Sequence, residues 1–121
     1  MQLERLNPPT TAELAQASGV AKTAAQDWKA YCRACRTRAQ VITAILQRRF
    51  GSDLEGKDVL DWGCAVGGVS FILSDELPIK MSAADVDEHS VNWINRAGGP
   101  VATSVLVPNC LLYTSPSPRD S

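Results

Sequence analysis

The stretch Lys57-Asp58-Val59-Leu60-Asp61-Trp62-Gly63-Cys64-Ala65-Val66-Gly67-Gly68-Val69-Ser70-Phe71-Ile72-Leu73 constrains this chain more than any other. Val59 and Leu60, β-branched and aliphatic, open it as a short strand of the kind that is buried on both faces of a parallel sheet. Asp61 stands where the strand ends, and Gly63, Gly67 and Gly68 follow within a few positions. Glycine lets the backbone turn sharply and lets a ligand approach it closely. Residues 69–74 then resume as an apolar helix whose N-terminus faces the same crevice as the strand end. Strand, glycine turn and helix together read as the opening of a βαβ nucleoside-cofactor site, and so of an α/β fold.

The next residues extend that unit. Residues 79–84 form a second candidate strand that ends at Asp85, about the distance at which a ribose-binding carboxylate follows a βαβ glycine turn. Asp87 fits the N-cap of a helix over residues 88–97 by type and position. Gly98-Gly99-Pro100 reads as a turn, and residues 101–107 as a third strand.

Two classes of cofactor compete for such a site. Gly63, Ala65 and Gly68 match a loosened G-x-G-x-x-G with alanine in the second place, which points to a dinucleotide and an NAD(P)-dependent oxidoreductase. Asp61 argues the other way. A carboxylate at the strand end repels a pyrophosphate, whereas a cationic amino-acid cofactor reverses the sign of that argument.

Val59-Leu60-Asp61-Trp62-Gly63-Cys64-Ala65-Val66-Gly67 also resembles the first motif of class I S-adenosylmethionine-dependent methyltransferases, aliphatic-Leu-Asp-x-Gly-Cys-Gly-x-Gly. It departs from that pattern once, with Ala65 at the middle glycine. The resemblance covers residues 56–96 and implies a Rossmann-like parallel sheet, of which about three of the family's seven strands fall in this chain. It implies S-adenosyl-L-methionine as cofactor, with Asp61, Gly63, Cys64, Ala65, Gly67, Asp85 and Val86 around it. Asp85 would take both ribose hydroxyls, a charge-assisted contact worth roughly 1.5–3 kcal/mol. Val86 would lie against the adenine. The methyl acceptor is expected to be a small molecule rather than RNA or protein, and no catalytic residue is assigned.

The N-terminal half, residues 1–50, reads as helical. Thr10 and Glu13 have the spacing of a capping box for a short helix, and Gly19 is its natural stop. The segment 10–28 faintly resembles a helix-turn-helix, with Ala15 and Gly19 at the spacing of its tight turn, so a DNA-binding regulator is the non-enzyme alternative. From 23 to 50 the chain lacks Gly and Pro, and Trp28, Tyr31, Cys32, Cys35, Ala39, Ile42, Leu46 and Phe50 recur at helical intervals. That predicts one long helix with a core-facing stripe. In relatives a helix at this place often covers the cofactor, which makes Trp28 and Tyr31 candidate contacts; otherwise both, with Trp62, read as packing residues.

The same helix is basic, with Lys29, Arg33, Arg36, Arg38, Arg48 and Arg49 set against Asp27. A solvated face explains most of this, contact with an acidic substrate or RNA is the alternative, and Arg48 and Arg49 suit the C-terminal end of the helix dipole. Cys32 and Cys35 form a lone CxxC inside the helix, away from the strand–helix junction a redox motif needs. A zinc site would need two more ligands, so they read as core cysteines and no metal is expected. His89, the single histidine, is expected on the surface.

The 121 residues carry a formal net charge of −1, which gives no overall reason to expect nucleic acid or an anionic membrane as partner. No apolar run approaches the roughly 18 residues of a membrane helix, and the first residues lack a secretory pattern. A cytoplasmic protein is the expectation. Finally, Cys110-Leu111-Leu112-Tyr113-Thr114-Ser115-Pro116-Ser117-Pro118-Arg119-Asp120 resembles one translated frame of a transposase-type sequencing-library adapter. On that reading residues 110–121 are a non-native tail and residues 51–109 an interrupted cofactor-binding domain. Such a chain is expected to lack methyl-transfer activity and to leave an apolar sheet edge unpaired.

Overall fold

Asp27 decides how the N-terminal helices divide. In the computed structural model, which describes residues 3–10, 12, 13 and 19–105, the predicted single helix is two: α1, Gly19–Gln26, and α2, Trp28–Phe50. Asp27 leaves helical geometry (φ −139°, ψ 79°) and its carboxylate accepts a hydrogen bond from Ala30 N. Aspartate caps a helix start by supplying an acceptor to an orphan N–H, and here that preference wins over continuation. Gly19 is likewise helical, within α1, rather than a left-handed stop. The Thr10–Glu13 capping box forms, with Glu13 N donating to Thr10 Oγ1 and Thr10 N to the Glu13 carboxylate. The helix predicted beyond it, and the tight turn of a helix-turn-helix, fall largely on residues 14–18, outside the described ones.

After α2, a 3₁₀ turn (Gly51–Leu54) leads into β1, Asp58–Trp62. Then come α3 (Gly68–Glu76), β2 (Lys80–Asp85), α4 (Glu88–Arg96) and β3 (Val101–Ser104). The strands form an open, wholly parallel sheet in the order β1-β2-β3, with Asp61 opposite Ala83 and Ala83 opposite Ala102. The architecture is therefore α/β. The third strand is described only to Ser104; residues 106 and 107 of the predicted 101–107 lie outside the described ones.

Alternate residues of a strand point to opposite faces. Met81, Ala83 and Ala102 are buried against α3 and α4, in one core with Phe71, Ile72, Val91, Trp93 and Ile94. Helices α3 and α4, which connect β1 to β2 and β2 to β3, both pack on this face. The other face stays bare at β1, where Leu60 is 57% and Trp62 64% exposed. The expectation that β1 is a central strand buried on both faces is thus corrected, as is Trp62 as a packing residue. Among the described residues β1 is an edge strand, and the sheet is covered from one side.

Helix α2 lies across α3 with its stripe inward: Trp28, Cys32, Cys35 and Ala39 are buried, and Tyr31, Ile42, Leu46 and Phe50 pack at the margin. The approach is close. A Cβ on Gly68 would come within 2.5 Å of Cys35 Sγ, so the glycine at the start of α3 is what lets α2 seat there. Trp28 stacks on Tyr31 at 5.4 Å and meets Trp93 edge-on at 5.5 Å, which ties α2 to α4. Arg36–Glu4 and Arg96–Glu13 pair the N-terminal segment with α2 and α4. These exposed pairs contribute little, at most about 1 kcal/mol each. No helix among the described residues is long and apolar enough to cross a membrane.

Candidate functional site

The glycine loop between β1 and α3 is held by its own backbone. Gly63 N and Cys64 N both donate to Ala84 O, at 2.8 and 3.0 Å, which locks the loop start to the end of β2. Gly67 N donates to Cys64 O at 2.9 Å, closing a four-residue turn around Ala65 and Val66. Gly63 and Gly67 have φ of 75° and 74°, the region that favours glycine. Ala65 is there too, with φ 52°, the one non-glycine residue at positive φ among the described residues. An alanine therefore stands where the loop's geometry favours glycine, and it carries local strain.

Two carboxylates brace this loop from adjacent strand ends. Asp61 Oδ2 accepts from Ser70 Oγ at 2.6 Å, so the end of β1 is fastened to the first turn of α3. Ser70 is fully buried. Asp85, at the end of β2, accepts from Ala65 N at 2.7 Å through Oδ2 and from Asp87 N at 2.8 Å through Oδ1. Asp87 caps α4 as expected, accepting from His89 N and Ser90 Oγ. His89 itself is exposed.

A cleft of about 260 Å³ opens beside the loop, lined by Asp61, Gly63, Cys64 and Ala65 on one side. Tyr31, Cys35, Arg38 and Ile42 of α2 face them, and Val69 of α3 completes the wall. Of the seven residues singled out in the sequence, four therefore line one cleft. Asp85 does not line it but joins the loop through Ala65 N. Gly67 turns away: a Cβ there would meet Ile94 Cδ1 at 2.9 Å, so it serves the packing of α4. Val86 is exposed beyond the end of β2. Tyr31 lines the cleft; Trp28 is in the core instead.

Sequence reasoning misses Ser70, Arg38, Ile42 and Val69 as site residues. Ser70 has a legible signal, a lone hydroxyl amid the apolar run Val69 to Leu73. Arg38 has one too, since residues 31, 35, 38 and 42 share a helical face. A separate hollow of about 550 Å³ runs along α2 between Val41 and Arg49, with no acid among the described residues that line it.

Tyr31 links the cleft wall to the loop, its hydroxyl accepting from Gly68 N at 3.1 Å. It thereby supplies the side-chain acceptor that Gly67, the N-cap of α3, lacks. Burial is the main cause that pushes the Tyr31 phenol above its ordinary range, and the neighbouring Cys35 adds to it. Burial likewise pushes the Cys64 thiol up to about 12, with Asp61 and Asp85 contributing. Cys35 is raised too, again chiefly by burial. These thiols stay protonated at neutral pH, and Cys32, Cys35 and Cys64 are all free and buried. Among the described residues no group of His, Cys, Asp and Glu is placed to hold a metal ion.

The residues fit a nucleoside cofactor with a cationic amino-acid end. Space is open over Gly63, where an added Cβ would meet nothing within 4 Å. Asp61 keeps one carboxylate oxygen without a hydrogen bond among the described residues. Asp85 uses one lone pair on each oxygen, and a carboxylate oxygen has two, so it retains acceptor capacity for two hydroxyls. No family model, curated protein or solved structure matches this chain.

Proposed function

We propose that this chain binds S-adenosyl-L-methionine in the manner of the class I methyltransferases, on a Rossmann-like arrangement of its sheet. One observation carries the reading. Asp61 and Asp85 stand at the carboxyl ends of neighbouring parallel strands, on either side of a glycine loop that both of them brace. Ligands of open α/β sheets bind at that end of the strands. In this site Asp61 faces the ammonium of the methionine portion, Asp85 takes the ribose hydroxyls, and Val86 lies against the adenine. The loop from Gly63 to Ala65 gives the backbone surface between them. Bound there, the cofactor would supply a sulfonium methyl for transfer to a nucleophile. This chain's part is to bind and orient the cofactor, and methyl transfer by the chain alone is not expected. The acceptor we favour is a small molecule.

A dinucleotide fits the same loop less well. Pyrophosphate sites use free N–H groups of the glycine turn and the helix start. Here the N–H groups of Gly63, Cys64, Ala65, Gly67 and Gly68 already donate to Ala84 O, Asp85, Cys64 O and Tyr31. Asp61 adds a negative charge beside them.

Calorimetric titration tests the choice. The full chain should bind S-adenosyl-L-methionine and not NAD, and Asp85→Ala should weaken binding about tenfold to a hundredfold, the loss of one charge-assisted contact. Binding of NAD alone would reverse the assignment, and equal affinity in the Asp85 variant would remove Asp85 from its role.

A further inference from the structure

Among the described residues the sheet has two outer edges, β1 and β3, and they differ in kind. At the β3 edge Asn95 reaches round from α4. Its Nδ2 donates to Ala102 O at 3.0 Å, and its Oδ1 accepts from Ala102 N at 3.1 Å. Val105 N donates to Asp85 O, so residues 103 and 105 turn toward β2 and Ala102 turns outward. The Asn95 amide therefore occupies both backbone groups that Ala102 offers along the open side of β3. An edge covered in this way is denied to another strand.

The open side of β1 belongs to three residues. Lys80 N donates to Lys57 O and Gly63 N to Ala84 O, both at 2.8 Å. The N–H and C=O of one strand residue point to the same side, and those of the next residue to the other. Val59 and Asp61 thus face β2, as Lys57 and Gly63 do, while Asp58, Leu60 and Trp62 face outward. The outward N–H and C=O groups have no hydrogen-bond partner among the described residues. The same three residues put their side chains on the uncovered face of the sheet, where Leu60 and Trp62 are exposed.

Such an edge is its own complement. With a second β1 set antiparallel about a two-fold axis at Leu60, Leu60 meets the partner's Leu60 and Asp58 meets the partner's Trp62. Each facing pair exchanges two hydrogen bonds, so every outward group of both strands is used. The strand runs Asp58–Trp62, and this register leaves no overhang. Charges agree with it as well. Asp58 faces an indole, and Asp61 faces the partner's Val59 with the partner's Lys57 on the diagonal, within reach of a long side chain.

We propose that two copies of this chain associate through β1, antiparallel about Leu60, into one six-stranded sheet bounded by the two β3 strands. A two-fold pair consumes the edge that forms it, and Asn95 guards the edges that remain, so assembly stops at the dimer. Cofactor binding is not required for it. Two strands of five residues make a narrower contact than the roughly 1,200–2,000 Å² of a standard interface. Half-association therefore falls in the micromolar range rather than below it.

Sedimentation of the full chain from about 5 to 500 µM tests this. A monomer–dimer equilibrium is expected; a monomer throughout, or growth beyond the dimer, would overturn the proposal. Amide hydrogen exchange locates the contact without mutation. The Leu60 and Trp62 amides should exchange about tenfold more slowly when nine-tenths of the chain is dimeric, since only the open form exchanges. Exchange at these two amides that ignores concentration would rule out β1 as the contact. Leu60→Lys and Leu60→Glu each set like charges together at the two-fold axis, and each alone should weaken association by about tenfold. An equimolar mixture of the two variants should associate again, because opposite charges then face each other. A mixture no better than either variant alone would defeat the pairing of Leu60 with its own copy.

Discussion

Replacing Ala65 by glycine removes a strain whose size follows from the backbone. At φ 52° an L side chain crowds the following carbonyl, at a cost of roughly 1–2 kcal/mol. Glycine relieves that crowding but widens the unfolded ensemble, which takes back about 0.4–1 kcal/mol. The balance is a gain of about 0.8 kcal/mol. With a urea dependence of about 2 kcal/mol per molar, the unfolding midpoint should rise by about 0.4 M. Gly63→Ala is the mirror experiment. Gly63 has φ 75°, and a Cβ there meets nothing within 4 Å, so the backbone term acts alone and the midpoint should fall by about as much. The hydrogen bond from Ala65 N to Asp85 is available in both variants, which keeps the comparison clean. Urea unfolding followed by Trp fluorescence measures both. A lower midpoint for Ala65→Gly together with no change for Gly63→Ala would refute the claim that left-handed geometry controls this turn.

Two further outcomes follow from the same loop and its neighbours. Ser70→Ala deletes the buried hydroxyl that donates to Asp61, and should cost about 1.5–3 kcal/mol in urea unfolding, the range for a hydrogen bond to a charged group; a loss under about 0.5 kcal/mol would mean that the contact does not brace the loop. Stability should fall in alkali, because burial holds the Cys32 thiol up to about 11 and Cys64 up to about 12. The folded chain keeps those protons while the unfolded chain releases them from about pH 9, so stability is complete below that and declines as pH rises towards the folded values. Urea midpoints on either side of about pH 9 should show the fall, and Cys64→Ala should flatten it; an unchanged slope in that variant would dismiss Cys64 as a cause.

Much of the site is legible in the order of residues along the chain. The glycine loop, the carboxylate at each strand end and the Asp87 cap all fall where local rules put them, since turns, caps and strand ends are set by residue type over a few positions. The inward stripe of α2 is also readable, because helical periodicity is a local property. Two misreadings are local in another way. Asp27 reads as one more helical residue, yet its side chain finds Ala30 N and divides the helix. Gly19 reads as a stop and is helical.

By itself, then, the sequence determined the α/β order of elements, the loop and the two carboxylates, because each depends on neighbours along the chain. Tertiary structure alone decided what surrounds them. The aliphatic composition of β1 carries no sign that Leu60 and Trp62 would face outward, because burial depends on which elements cover each face of the sheet. The spacing of Tyr31, Cys35 and Arg38 puts them on one helical face, but it does not say that α2 would bring that face against a loop some thirty residues away. That contact needs Gly68 to leave room for Cys35 and Tyr31. It is long-range packing, and it turns a glycine loop into a cleft with an acid on one wall and a base on the other.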